Sequence, residues 1–212
     1  MDVYIYYGCM LICFVASILY FKYPTVKFLC LLLFISILTE TIVEFVGTKG
    51  NIFFPVYHYF VLAEYTLITM TLRSFIENRL IKVAMLFSIP VFILFSLYIS
   101  LILKTLKDYP SININIESML LIIWCLLSFI SIRVVNDLSI FKLPVFWCTF
   151  AFFVYFSGTI SFNSIYNLLL EKNQERARTL FSIFNLSFNY ILYIFLTIGI
   201  ISFRWAEKSS VQ

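Results

Sequence analysis

The chain has 212 residues, 62% hydrophobic, 20% aromatic and 12% charged, with a net charge of +4. Together with a mean hydropathy of +0.99, that balance excludes a soluble globular domain and points to an all-α, polytopic membrane protein. The excess positive charge belongs to loops and speaks to orientation, so the expected partner is the lipid bilayer and not nucleic acid.

A membrane-crossing helix takes roughly 20 mostly apolar residues. Seven apolar runs follow one another, at about 3–21, 26–47, 55–76, 80–103, 113–133, 144–170 and 179–203, predicting a seven-helix transmembrane bundle over one domain, 1–212. The first starts at Val3 with no basic stretch before it, which predicts a span in place of a cleaved leader. Lys22–Tyr23–Pro24 closes it. Gly47–Asn51 closes the second run, and Pro55 opens the third. Pro90 falls inside the fourth, where membrane helices tolerate it. Asp108–Tyr109–Pro110 ends the fourth, Asn136–Asp137 to Pro144 divides the fifth from the sixth, and the polar run Glu171–Arg178 divides the sixth from the seventh. The runs are continuous and not alternating, which rules out barrel strands. Cys9, Cys13, Cys30, Cys125 and Cys148 all lie in apolar stretches and read as small hydrophobes.

With the amino terminus outside, the inner loops hold nine Lys and Arg residues and the outer loops six. The positive-inside rule then predicts amino terminus out and carboxyl terminus in, in a bacterial cytoplasmic (inner) membrane.

Charges inside a bilayer are costly and usually face a partner, a cavity or a ligand. Glu40, Glu44, His58 (the single histidine), Glu64 and Glu117 sit in the apolar runs. At a rise of about 1.5 Å per residue, this topology puts them in one layer near the outer surface. Thr159, Asn163, Tyr166 and Asn167 join from the sixth run, and Ser182, Asn185, Asn189 and Tyr193 from the seventh, at spacings that share a helix face. The inner halves are nearly free of charge. The pattern predicts an outward-facing polar, acidic cup with an apolar floor.

Such a cup suits a cation, either a divalent metal held by Glu40, Glu44, His58 and Glu64 or an amine. Alternatively its carboxyls stay protonated and donate hydrogen bonds to Asn163, Asn185 or Asn189. Structural readings stand beside each. Glu40, Glu44, Asn185 and Asn189 are also suited to interhelical hydrogen bonding, His58 to an interfacial belt with Tyr57 and Tyr59, and Glu117 to a favourable helix N-terminal position. Beyond a cation, no cofactor is expected.

The run Asn51–Ile52–Phe53–Phe54–Pro55–Val56–Tyr57–His58–Tyr59–Phe60–Val61–Leu62–Ala63–Glu64–Tyr65 resembles the third-helix pattern of short bacterial seven-span membrane proteins. The resemblance implies the architecture and draws attention to His58 and Glu64; it implies no activity. Two other seven-helix families are set aside on the residues. Microbial rhodopsins carry a lysine in mid last helix, and 180–203 has none. Seven-helix zinc hydrolases need several histidines, and this chain has one.

The expected function is a small-ligand or cation-binding, sensor-type protein. With short inner loops and nine residues after Phe203, it is expected to signal through a cytoplasmic or membrane partner. The alternatives are a membrane-embedded enzyme using carboxylates and His58 on a lipid-like substrate, a transporter or channel, and a structural assembly subunit.

Overall fold

The computed structural model describes residues 3–47, 54–103, 106, 109–132, 139–172 and 174–210, some of them by their backbone alone. These residues are helical, without strands. The helices are α1 (Val3–Leu19), α2 (Pro24–Gly47), α3 (Phe54–Phe75), α4 (Arg79–Tyr98), α5 (Ser111–Ile130), α6 (Pro144–Lys172) and α7 (Gln174–Ser210). A π-helical turn, Ile99–Leu103, extends α4, and a short 3-10 turn, Ile140–Lys142, precedes α6.

Five helices, α2, α4, α5, α6 and α7, are long and apolar enough to cross a membrane. α1 is apolar but shorter. α3 is 22 residues long, yet Tyr57, His58, Tyr59, Glu64 and Tyr65 lower its hydropathy. Among the described residues, five of the seven apolar runs thus form helices with the length and composition of a span.

The polar run 171–178 holds the passage from α6 to α7, and helix extends into it from both sides. α6 continues to Lys172 and α7 starts at Gln174. Glu, Lys, Arg, Gln and Ala are all good helix formers, and polarity ends a membrane span without ending a helix. Phe162 of α6 and Ala177 of α7 pack with Tyr109 in a small cluster of their own.

Packing follows a ring. α1 lies on α2, α2 on α3, α3 on α5, α5 on α6, α6 on α7, and α7 back on α1. α4 stands outside this ring, against α3 and the edge of α5. The core between the six ring helices is built from Tyr65, Phe152, Phe156, Met10, Leu29 and Leu33, all buried. Leu11, Phe34, Phe87, Leu94, Ile123 and Ile194 face outward, as apolar side chains do when the surrounding solvent is lipid. The five cysteines are free.

Polar ties fix the outer helix. Asn78 caps α4 through the Leu80 and Ile81 amides, which donate to its Oδ1 at 2.9 and 3.4 Å. Trp124 Nε1 of α5 donates to the Tyr65 hydroxyl of α3 at 3.2 Å. Tyr65 pairs with Ser88 Oγ of α4 at 2.7 Å, and Ser88 donates to the Met85 carbonyl at 2.7 Å. Each hydroxyl has one proton, so the order is fixed: Trp124 to Tyr65 to Ser88 to the α4 backbone. Replacing Tyr65 with Phe removes the acceptor of Trp124 and the donor to Ser88 together. Interhelical bonds in membranes average about 0.6 kcal/mol and reach about 1.7. Tyr65→Phe is therefore expected to lower stability by about 1–2 kcal/mol, read from an unfolding transition in detergent.

Candidate functional site

A cavity of about 100 Å³ lies inside the ring, and all six ring helices line it. That is room for roughly half a dozen waters or one small organic molecule. α1 contributes Tyr6; α2 contributes Ser36, Thr39 and Glu40; α3 contributes Tyr57, Val61 and Glu64. α5 contributes Ile114, Glu117 and Ser118; α6 contributes Tyr155, Phe156 and Thr159; α7 contributes Asn185, Asn189 and Tyr193. Tyr109, in the α4–α5 connection, completes the wall. Leu32, Leu33, Ile68, Phe152 and Leu196 form the other end. These last residues lie along their helices away from the α2–α3 and α6–α7 connections, so the cavity has a polar upper wall and an apolar floor.

The register of α3 shows why these side chains meet. Tyr57, Phe60, Val61, Glu64 and Ile68 recur at three- and four-residue steps and form one stripe facing the cavity. His58 is one residue, about 100°, off that stripe. It is buried on another side of α3, where its Nδ1 lies 2.8 Å from Ser100 Oγ in the π-helical turn. Asn113 Nδ2 of α5 donates to the same Ser100 Oγ at 2.8 Å. His58 thus joins a junction of α3, the end of α4 and α5, and is not among the cavity-lining residues.

Glu40 and Glu44 both meet α1. The Tyr6 hydroxyl donates to Glu40 Oε1 at 3.3 Å, and the Tyr7 hydroxyl to Glu44 Oε2 at 3.0 Å. Two neighbouring tyrosines of α1 thereby hold two carboxylates one helical turn apart on α2. Glu40 lines the cavity; Glu44 lies beyond it and is exposed. The Tyr6 ring also packs against Tyr193, with centroids 5.9 Å apart.

Glu64 and Glu117 face the cavity from α3 and α5, near enough to repel if both are ionised. Tyr155 is within electrostatic reach of both. Glu117 is 1% exposed, and its Oε1 has no hydrogen-bond partner among the described residues. It is the seventh residue of α5, past the first turn. The helix N-terminal role expected of it therefore gives way to a buried, cavity-facing one. Asn189 Nδ2 donates to the Asn185 carbonyl at 2.8 Å and to Asn185 Oδ1 at 3.0 Å, tying those two side chains to their own helix. The side chain of Asn163, with those of Tyr166, Asn167 and Ser182, lies outside the described residues.

Of the predicted site residues, Glu40, Glu64, Glu117, Asn185 and Asn189 come together at the cavity, and Glu44 and His58 do not. Among the described residues no three His, Cys, Asp or Glu side chains gather as a metal-ion site. The four metal candidates are divided: Glu40 and Glu64 in the wall, Glu44 at the surface with Tyr7, His58 at Ser100. Tyr6, Tyr109 and Tyr155 are cavity residues that the sequence does not single out. In a chain with 14 tyrosines, a cavity tyrosine carries no mark that a belt tyrosine lacks. No protein-family model, curated protein or solved structure matches this chain.

Proposed function

We propose that the chain is an integral membrane protein that binds a small ligand in the cavity of its six-helix ring, α1 and α3 completing seven spans. The observation that carries the reading is the convergence of six helices on one cavity with three carboxylates, an asparagine pair and tyrosines above an apolar floor. Polar groups in a membrane interior are expensive, and grouping them around one space is the arrangement expected of a binding site.

Two observations favour binding over the other readings. The imidazole is engaged with Ser100 away from the cavity, which leaves a membrane enzyme without its best general base. The floor of Leu32, Leu33, Ile68, Phe152 and Leu196 opposes a continuous polar path, which a transporter needs past the midplane. The protein acts as a sensor-type component in a bacterial cytoplasmic membrane, with the amino terminus outside and its output passed to a partner.

The test is the thermal midpoint of purified protein against divalent metals, amines, neutral alcohols and carboxylates. Wild type is run beside Glu40→Gln, Glu64→Gln and the cavity-filling Ser36→Phe. A ligand of the folded state raises the midpoint with its concentration. At least one class is expected to do so by several degrees in wild type and to lose the effect in Ser36→Phe. No shift from any class, together with destabilised glutamine variants, would assign the carboxylates to structural hydrogen bonding.

A further inference from the structure

We infer that the ligand is a small organic cation, an ammonium group held between Glu64 and Glu117 with a short apolar tail directed at the Leu33 and Ile68 floor. The inference rests on the binding reading above and names the chemistry of that same site.

Charge comes first. Three carboxyl side chains line the cavity, and no Lys, Arg or His is among the described residues lining it. Glu117 is buried and faces that space with an oxygen that no protein donor reaches among the described residues. A buried acceptor without a donor is costly, and a cation carrying N–H groups supplies both the donor and the opposite charge. It also relieves repulsion between Glu64 and Glu117.

Shape and softness decide which cation. A divalent metal takes six or more hard oxygen ligands for calcium, and near-octahedral oxygen and water for magnesium. Here the described carboxyl, imidazole and thiol groups do not gather in threes. The wall offers aromatic side chains instead, Tyr155, Phe156, Tyr193, Tyr6 and Phe60. Aromatic faces attract ammonium groups through their quadrupole. The apolar floor adjoins the acidic wall directly, a layout matched by a molecule that is charged at one end and hydrocarbon at the other. The cavity's volume of about 100 Å³ limits the tail to a few carbons.

The probes are the ethyl-, butyl- and hexylammonium ions against ethanol, butanol and hexanol, with magnesium and calcium as further arms. The readout is the thermal midpoint of the full chain in phosphatidylglycerol nanodiscs. Butylammonium is expected to give a saturable rise that butanol and the metals do not. Glu117→Gln and Glu64→Gln, both close in shape to the native residues, are expected to weaken the response at least tenfold in concentration. Adding phosphatidylethanolamine to the nanodiscs separates two sources of the ammonium. A response suppressed by that lipid assigns the group to a headgroup, and an unchanged response assigns it to a free amine.

Equal stabilisation by butanol and butylammonium, or a response retained in both glutamine variants, overturns the cation and leaves the cavity reading standing. A shift by the metals or the alcohols alone likewise overturns the ammonium ligand. Silence from every compound class overturns both.

Discussion

Gly199→Leu is expected to abolish the folded protein, or to leave a minor and aggregation-prone fraction on size exclusion, whereas Gly8→Leu is expected to behave as wild type. α6 and α7 form the most extensive helix pair of the bundle, and Gly199 of α7 lies directly against the α6 backbone. A Cβ there would stand 2.7 Å from Cys148 Sγ, 3.1 Å from the Cys148 backbone nitrogen and 3.3 Å from Trp147 Cβ. The thiol is buried and the nitrogen belongs to the facing helix, so neither can swing away. Small residues let membrane helices approach in this manner, and van der Waals contact there takes the place of the hydrophobic effect. Overpacking costs about 1–3 kcal/mol, sometimes more. Alanine at 199 is expected near that range, and leucine, with three further carbons, beyond it. A Cβ at Gly8 would meet nothing within 4 Å, which makes that position the matched control. Gly158 also abuts α7, but its neighbour is one edge of the Phe188 side chain and not backbone, so Gly158→Ala is expected to cost less than a large residue at 199.

The second large effect has the opposite sign. Glu117→Met is expected to stabilise the ligand-free protein by about 1–3 kcal/mol, the penalty attached to a buried polar atom without a partner. Methionine is unbranched, similar in length and adaptable to irregular space. The measurement is the unfolding midpoint in detergent, without added amine. A fall in the midpoint would mean that Glu117 is hydrogen-bonded in the folded protein and contributes to its stability. A rise would mark a residue kept at a cost to the fold, as residues that meet ligands often are.

The layer of polar residues was legible because depth along a helix is arithmetic. A rise of about 1.5 Å per residue puts Glu40, Glu64, Glu117, Asn185 and Asn189 at comparable heights once alternating helices are assumed, and these five do line one cavity. Azimuth was less legible. His58 has the right depth but points toward Ser100, because the direction of the cavity around α3 depends on which helices flank it. The ring order, with α3 against α5 and α4 outside, is tertiary information that no single run contains. Glu44 keeps the azimuth of Glu40, one turn on, but passes the end of the cavity and meets Tyr7. The early start of α7, at Gln174, was hidden by the polarity of its first turns, which marks where lipid ends and not where a helix does.

The low hydropathy of α3 has a consequence for biogenesis. A helix with Glu64 and His58 in its upper half partitions poorly into lipid by itself, because acidic and strongly polar side chains are costly to insert. Its neighbours in sequence are among the most apolar segments of the chain, α2 with a mean hydropathy of 2.2 and the α4 segment with 2.4. In the folded protein α3 is flanked by both. The chain therefore places a helix of low hydropathy between two that enter lipid readily, and α3 is expected to leave the insertion machinery together with them. A truncation ending after α3 is expected to expose that dependence as incomplete insertion, cured by extending the chain through α4.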